Sequence, residues 1–336
     1  MPATMPSCPD LPPSGSAKTV KLDELSFSRR DLLRRAALGT GALGLSALLA
    51  ACGGDGDASG NAPAKPAGSI GAVGEGAAQL SLLNAQSELP VGRQLFTFGL
   101  STPDNRLVTG GRPQVWTAKD ETGKALGPFT AEWLMMDAYA ETGDRSPRSE
   151  LVGFYVTEAE FPTAGNWLVA AVVEGTGTRG VGRGALPVAG KVVAQVGSKA
   201  LATPTLVAKS KAELAKVCTR NPPCTMHQIS LDRAVKSGKP TAVSFSTPLF
   251  CSSRMCGPAV DELLLAARRI GDKANFIHVE EYPTRKPDKP VKAFTDWGFQ
   301  TEPWTLVIDG KGVIRARFEG PLTDTQIVDA FRPLLG

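Results

Sequence analysis

Residues 245–258 read FSTPLFCSSRMCGP, and they hold two cysteines in a turn between two predicted elements. Residues 241–245 predict a buried strand, and residues 258–270 predict a helix with one apolar face. Pro258 suits the first turn of that helix, where its missing N–H would have no partner anyway. The sequence therefore predicts a strand-to-helix turn that carries both cysteines.

These two cysteines, Cys251 and Cys256, have different surroundings. Cys256 lies beside the positive end of the helix with Arg254 nearby, and both features favour a thiolate. Cys251 lies five positions earlier, about 16 Å away along an extended chain. A disulfide needs Cα atoms about 4.4–6.8 Å apart, so the loop has to fold back for the two to pair. Ser252 and Ser253 permit such a turn, but the spacing alone does not force it.

Helices and strands alternate around this turn. Strands are predicted at 241–245, 275–279, 304–308 and 313–319, and helices at 208–218, 231–237, 258–270, 291–297 and 323–335. The sequence DGKG at 309–312 is a hairpin signal between the last two strands. This order predicts an α/β fold in which a parallel strand pair is extended by an antiparallel hairpin.

Two short motifs resemble those of the thioredoxin superfamily. Cys256-Gly257-Pro258 is similar to the start of the family's Cys-Gly-Pro-Cys site, and Glu302-Pro303-Trp304-Thr305 is similar to its cis-proline element. The resemblance covers about residues 225–336 and implies an α/β thioredoxin-like domain there. It also implies a cis peptide that places Pro303 against the cysteines, where the neighbouring backbone pairs with a substrate chain.

The chain departs from the family pattern at two positions. Ala259 stands in place of the second cysteine, and Met255 stands where the family usually has tryptophan. Cys251 is then the available partner for Cys256, in a Cys-x4-Cys pair. Either Cys256 attacks a substrate disulfide and Cys251 resolves the mixed disulfide, or the roles are exchanged; the helix terminus favours Cys256 as the attacker. A static bridge in a redox-silent binding module is the third interpretation.

A second cysteine pair, Cys218 and Cys224, precedes the first strand of the α/β domain. In an oxidising compartment this pair is predicted to form a structural disulfide. Exchange of electrons with Cys251 and Cys256 is the alternative, because four thiols allow three pairings.

The two histidines give no complete metal-binding pattern. His227 forms Cys-x2-His with Cys224, which is half a zinc site without an obvious second half. His278 lies in a predicted strand and is interpreted as a hydrogen-bonded strand residue. A Cu(I)-delivery protein of the synthesis-of-cytochrome-oxidase type resembles this chain in fold and paired cysteines. Its cysteines are spaced by three residues, however, and its histidine comes late in the chain. We therefore expect no metal and no other cofactor.

The first fifty residues have the layout of an export signal. Arg29 and Arg30 lie in the motif SRRDLL, and a stretch of sixteen uncharged residues begins six positions after Arg30. That stretch is too short to cross a bilayer as a helix. SRRDLL resembles a twin-arginine export motif, and LAAC resembles a bacterial lipobox in which Cys52 is acylated. Residues 1–51 are thus predicted to be an export signal, leaving a lipid-anchored extracytoplasmic protein on the cell membrane.

Three further segments separate this signal from the α/β domain. Residues 52–77, rich in small residues and proline, predict a flexible tether. Residues 78–190 favour an all-β sandwich that resembles immunoglobulin-like domains, with strands at 93–100, 114–118, 131–135, 153–157 and 166–173. This region lacks cysteine and histidine, so it is interpreted as a spacer or a module that binds a protein partner. Residues 191–224 predict a linker.

The composition agrees with a multidomain globular protein. The length of 336 residues predicts about two domains. The content of 42% hydrophobic and 21% charged residues is typical of soluble globular proteins. The formal net charge of +4 is too small to indicate a nucleic-acid partner. The predicted function is membrane-anchored thiol–disulfide exchange with protein thiols and disulfides. Cu(I) delivery and redox-silent binding are the alternatives.

Overall fold

The first half of the described chain is built almost entirely from β-strands that form one sheet. The computed structural model describes residues 65–138, 152–175 and 178–335. Arg29, Arg30 and Cys52, with the export signal and lipobox predicted around them, lie outside the described residues. Within the described part, no helix is long and apolar enough to cross a membrane.

The strands of this half form one continuous sheet. They are β1 (Ala78–Asn84), β2 (Leu89–Pro90), β3 (Gly92–Ser101), β4 (Gln114–Ala118), β5 (Leu126–Thr130), β6 (Glu132–Met135), β7 (Gly153–Phe161), β8 (Gly165–Gly175) and β9 (Thr178–Ala189). The order across the sheet is β5-β4-β8-β9-β1-β3-β7-β6, with β2 beside β9. The all-β character matches the sequence prediction.

Strand β1 changes partner part-way along its length. Its first residues pair in parallel with β9, up to Ser81, and its last residues pair antiparallel with β3. The sheet curls at this point, so that β4 and β5 at one end of the sheet contact β7, which lies next to the strand at the opposite end. Thr117 of β4 donates a hydrogen bond to the Glu160 carbonyl at 2.8 Å, and Thr157 of β7 donates to the Thr130 carbonyl at 2.9 Å. The buried, stacked rings of Phe96 and Phe98 lie in the core that this curl encloses.

The segment before β1 is packed against the sheet from residue 65 onward. A 3-10 turn, Ile70–Ala72, places Ile70 in contact with two alanines of β4 and β8, and Ile70 is only 2% exposed. The Gly71 N–H donates to the Glu121 carbonyl at 3.0 Å. The part of the predicted 52–77 tether that is described is therefore ordered, because one large apolar side chain in it is buried.

The second half alternates helices with strands. Its helices are α1 (Lys211–Val217), α2 (Leu231–Ala234), α3 (Cys256–Ile270), α4 (Lys292–Trp297) and α5 (Asp324–Phe331), and its strands are β10 (Thr241–Phe245), β11 (Asn275–Val279), β12 (Trp304–Ile308) and β13 (Ile314–Glu319). The sheet order is β11-β10-β12-β13. Strands β10 and β11 are parallel, and β12 is antiparallel to both β10 and β13. The predicted α/β fold is confirmed.

Helices cover both faces of this second sheet. Leu263 of α3 packs with Val307 of the sheet on one face, and Trp297 of α4 packs with Phe245 on the other. Each fully buried side chain of this size stabilises the fold by roughly 1.5–3 kcal/mol. Strand β10 is buried along its whole length, and its carboxyl end meets the amino end of α3.

Residues of the predicted 191–224 linker contact the second sheet. The Ala200 N–H donates to the Gly312 carbonyl, and Lys199 forms a β-bridge with Val313. The described residues belong to one compact unit. The division into separate domains at 78–190 and 225–336 stays a prediction.

The turn between β12 and β13 depends on a close backbone approach at Gly310. A Cβ atom there would come 2.3 Å from the carbonyl oxygen of Gly238. We expect Gly310→Ala to lower the free energy of unfolding by about 2 kcal/mol, because one backbone segment must move. Urea denaturation measures this change. Gly190→Ala is the matched control, since a Cβ at Gly190 has no atom within 4 Å; equal losses in the two variants would contradict the prediction.

Candidate active site at the start of helix α3

The loop after β10 turns back on itself and brings two distant sulfurs together. The Phe250 and Cys251 N–H groups both donate to the Thr247 carbonyl, at 3.1 and 3.0 Å. Arg254 adopts a φ of 60°, a left-handed conformation that is uncommon for a residue with a side chain. These turns place the Cα atoms of Cys251 and Cys256 6.0 Å apart, and their sulfurs are joined in a disulfide. The sequence had left this pairing open.

The two bonded cysteines differ in exposure and in hydrogen bonding. Cys256 is 0% exposed, whereas Cys251 is partly accessible. The Cys256 N–H, at the amino end of α3, donates to the Cys251 sulfur at 3.3 Å, and the Ser253 hydroxyl lies 3.2 Å from the same sulfur. Partial positive charge at a helix terminus stabilises an anion. The sequence predicted that the helix terminus stabilises a thiolate at Cys256, but in the structure the N–H at this terminus donates to the sulfur of Cys251.

The predicted proline element lies beside the same pair. The Glu302–Pro303 peptide is cis, and it immediately precedes β12. The Glu302 carboxylate, Cys251 and Cys256 each offer an atom within 4.8 Å of the others. The sequence motif assigns no role to Glu302, because only the pairing of β12 with β10 brings this residue to the cysteines.

Burial changes the acidity of Glu302. Together with the neighbouring charge of Glu281, burial raises the pKa of Glu302 to about 8. Its Oε2 atom is buried without a hydrogen-bond partner among the described residues. The side chain is therefore mostly protonated at neutral pH, and it titrates next to the disulfide.

This titration predicts a pH effect on reduction of the disulfide by an external thiol. As Glu302 ionises between about pH 7 and pH 9, its negative charge repels the incoming thiolate. We expect the rate constant, corrected for ionisation of the reagent, to fall about five- to tenfold over that range. Stopped-flow measurement with a small thiol tests this. Glu302→Gln should give a flat profile, and a persisting inflection in that variant would assign it to another group.

The second cysteine pair is arranged differently. Cys218 and Cys224 are free thiols in this structure, both buried, with their sulfurs 3.8 Å apart. The predicted structural disulfide is thus not formed here. The hydrogen bond between the two sulfurs lowers the pKa of Cys218 and raises the pKa of Cys224. His278 lies against both, with its Nδ1 atom 3.3 Å from the Cys224 sulfur.

His278 also has the hydrogen bond expected of a strand residue. Its Nε2 atom lies 2.8 Å from the Ser246 carbonyl oxygen. Its backbone N–H donates to the Met226 carbonyl at 2.8 Å, which places β11 beside the segment that holds Cys224. A contact between residues so far apart in the chain leaves no signal in sequence spacing.

Comparison with known proteins gives weak similarities. No protein-family model and no curated protein matches the chain. A solved structure of a thiol:disulfide interchange protein of the thioredoxin family, from Chlorobium tepidum TLS, is 19% identical and covers 41% of this chain and 100% of its own, with a TM-score of 0.26. A thioredoxin-like superfamily protein is 14% identical and covers 32% of this chain and 86% of its own, with a TM-score of 0.24.

The fold assignment rests on the arrangement of the chain itself. A mixed sheet of order β11-β10-β12-β13 is covered by helices on both faces. A helix begins at a cysteine after the loop that follows the inner strand β10, and a cis proline precedes β12. The second half of the described chain therefore has the mixed sheet, the helix positions and the cis proline that the resemblance to thioredoxin-like domains implies.

Proposed function

We propose that the protein is a thiol–disulfide oxidoreductase that acts on protein disulfides through Cys251 and Cys256. The observation that supports this most directly is the asymmetry of the bonded pair. Cys251 is a partly exposed residue whose sulfur accepts the first N–H of helix α3, and Cys256 is buried. An accessible sulfur whose thiolate is stabilised is the requirement for exchange.

The proposed reaction begins with both cysteines reduced. The Cys251 thiolate attacks one sulfur of a substrate disulfide, forms a mixed disulfide, and releases the other substrate sulfur as a thiolate. The Cys256 thiol loses its proton, and its sulfur then attacks the Cys251 sulfur, which breaks the mixed disulfide and releases the second substrate sulfur as a thiolate that takes up a proton. The products are the Cys251–Cys256 disulfide and a substrate with two thiols, so two electrons pass to the substrate. The same steps in reverse oxidise a dithiol.

Glu302 is suited to the proton transfer in this sequence. With a pKa near 8, its carboxyl group exchanges a proton readily at neutral pH. Its position within 4.8 Å of both sulfurs allows its ionised form, the minor one at neutral pH, to accept the Cys256 proton as the mixed disulfide is resolved.

The surroundings of Cys251 provide a surface for a polypeptide. The Phe250 ring contacts the Tyr282 ring edge to face, with 5.7 Å between centroids, and both side chains are partly exposed. The backbone before Pro303 lies at the start of β12, where we propose that a substrate chain pairs in extended form. An apolar wall next to a strand terminus is suited to a peptide rather than to a small thiol.

Titration in glutathione buffers tests the proposed exchange. The full chain is equilibrated at known ratios of reduced to oxidised glutathione, and the fraction of the Cys251–Cys256 disulfide is read by alkylation and mass spectrometry. We expect a reduction potential above about −250 mV and rapid equilibration. A bridge that stays oxidised at every ratio would instead indicate a redox-silent binding module.

Cu(I) delivery is less favoured, because the third donor beside this pair is a carboxylate, a poor ligand for a soft ion.

We further propose that the chain is a membrane-anchored, extracytoplasmic lipoprotein exported by the twin-arginine route. The motif around Arg29 and Arg30 and the lipobox ending at Cys52 support this. Mass spectrometry of the mature protein tests it by looking for an acylated amino terminus at Cys52. An unmodified residue 52, or an intact residue 1, would contradict it.

The β-sheet half is proposed to be an immunoglobulin-like module that binds a protein partner. The change of partner by β1, from β9 to β3, supports the two-layered arrangement that such modules have. Two partly exposed leucines, Leu83 and Leu95, add apolar surface on this half. A pull-down with residues 78–190 deleted would lose the partner if this is its role.

A further inference from the structure

Four side chains that could ligate a metal meet in the interior, away from the disulfide. They are Cys218, Cys224, His227 and His278, all buried, and each offers a ligand atom within 4.8 Å of the others. We propose that these four residues bind one Zn²⁺ ion. Two thiolates and two neutral imidazoles form a common zinc ligand set, in which the ion neutralises both negative charges.

The distances between the ligand atoms fit tetrahedral coordination. With Zn–S bonds of about 2.3 Å and Zn–N bonds of about 2.0–2.1 Å, the tetrahedral edges are about 3.8 Å between sulfurs and about 3.6 Å between sulfur and nitrogen. The two sulfurs are 3.8 Å apart. The Nδ1 atom of His278 lies 3.8 Å from the sulfur of Cys218 and 3.3 Å from that of Cys224. A Zn²⁺ ion between the two sulfurs and the Nδ1 atom of His278 would lie within bonding distance of all three atoms.

The neighbours of His278 hold it in the orientation that a ligand needs. Its Nε2 atom lies 2.8 Å from the Ser246 carbonyl oxygen and 3.6 Å from the Glu280 carboxylate. An Nε2–H that donates to this carbonyl leaves the Nδ1 lone pair directed at the sulfurs. Metal-binding histidines usually donate their second ring nitrogen to a carbonyl or carboxylate in this way.

His227 provides an independent observation. Its side chain is 2% exposed, and neither ring nitrogen has a hydrogen-bond partner among the described residues. A buried imidazole without partners costs free energy. Coordination by one nitrogen would remove part of that cost. The sequence showed only the half-site Cys224-x2-His227, and β11 contributes the second histidine.

The proposed zinc site is connected to the loop that carries the disulfide. Thr219, next to Cys218, accepts the Leu249 N–H through its hydroxyl at 3.2 Å. Ser246, whose carbonyl faces His278, donates its hydroxyl to the Cys256 carbonyl at 3.0 Å. The ion would therefore hold the base of the Cys251 loop in place without contacting the reacting sulfurs.

Metal analysis of the purified full chain tests the proposal. We expect one equivalent of zinc per chain by plasma mass spectrometry, and thiolate-to-cobalt charge transfer with tetrahedral cobalt bands after exchange with Co²⁺. Cys218→Ser and His227→Gln should each retain less than about a tenth of an equivalent. The matched control, Cys251→Ser with Cys256→Ser, should keep the full equivalent, which separates this site from the proposed exchange reaction.

Other results would overturn the assignment. An intact mass two hydrogens lighter than that of the chain in which only Cys251 and Cys256 are linked, with Cys218 joined to Cys224 in the peptide map, would show the disulfide instead. A metal-free chain with both thiols reduced, or copper retained in place of zinc, would also exclude a zinc site. Because the wild-type measurement decides among these results, the test does not depend on whether a variant folds. A fall in Tm on addition of a chelator is the further expected result.

Discussion

Replacing Cys251 by serine is expected to reduce thiol–disulfide exchange by at least about a hundredfold, to the uncatalysed rate. A serine hydroxyl does not ionise at neutral pH, so it cannot attack a disulfide. Cys251 is partly exposed and its sulfur accepts the N–H of Cys256, whereas Cys256 itself is fully buried. Reduction of a disulfide-bonded model protein by this protein and a dithiol measures the loss.

The matched variant Cys256→Ser should behave differently. It retains the attacking sulfur but cannot resolve the mixed disulfide, so a covalent complex with the substrate should accumulate on non-reducing gels. Ser252→Ala, at an exposed position of the same loop, should keep the wild-type rate. If Cys251→Ser forms the trapped complex and Cys256→Ser does not, the attacker is Cys256, as the helix position in the sequence favoured.

The second large effect concerns stability and Glu262. This residue of helix α3 is 0% exposed, and its two oxygens accept the N–H groups of Ala138 and Asp324 at 2.9 and 2.7 Å. Burial raises its pKa to about 7, with the charges of Asp324 and Asp137 adding to the effect of burial. The folded protein therefore holds this proton more tightly than the unfolded chain, in which the ordinary value of 4.5 applies.

The sign of the pH dependence follows from that difference. The contribution of Glu262 is fully present below about pH 4.5 and is lost as pH rises through about 7. We expect the free energy of unfolding to fall by about 3 kcal/mol from this residue between about pH 4.5 and pH 8. Urea denaturation at a series of pH values measures it.

Comparison with Glu262→Gln isolates the effect from other titrating groups. Glutamine keeps one hydrogen-bond acceptor, so we expect the free energy of unfolding to fall by roughly 1–2 kcal/mol at every pH. The part of the pH dependence of that free energy that comes from Glu262 should disappear. Glu121→Gln, at an exposed position, should leave the wild-type slope unchanged. If the slope in Glu262→Gln equals that of the wild type, the pH dependence arises from other residues.

The α/β half could be predicted closely because its strands are locally distinct. The predicted bounds of β10, β11 and β12 agree with those observed, since each is a short apolar run between turn residues. Helix α3 begins at Cys256, two residues before the predicted start at Pro258. A proline indicates the first turn of a helix, but it does not determine at which residue the helix begins.

The β-sheet half was harder to predict at its glycine-rich strand. Strand β9 carries glycine at alternate positions, which sequence preference assigns to a loop. A Cβ atom at Gly182 would come 2.5 Å from a methyl carbon of Leu100, which belongs to another strand. A larger residue there would displace a leucine side chain that the folded sheet brings close, and this reason for glycine is not visible in the local sequence.

The chain's own residues determined the turn between β10 and α3, the choice of Cys251 and Cys256, and the proline at 303, because each depends on neighbours close in sequence. Tertiary structure alone decided which sulfur receives the helix N–H, that Glu302 lies beside the disulfide, and that His278 completes a cluster with Cys218 and Cys224. Strand pairing joins residues that are distant in the chain. The direction in which a backbone N–H points in a folded loop cannot be deduced from the spacing of residues in the sequence. These are properties of packing rather than of residue order.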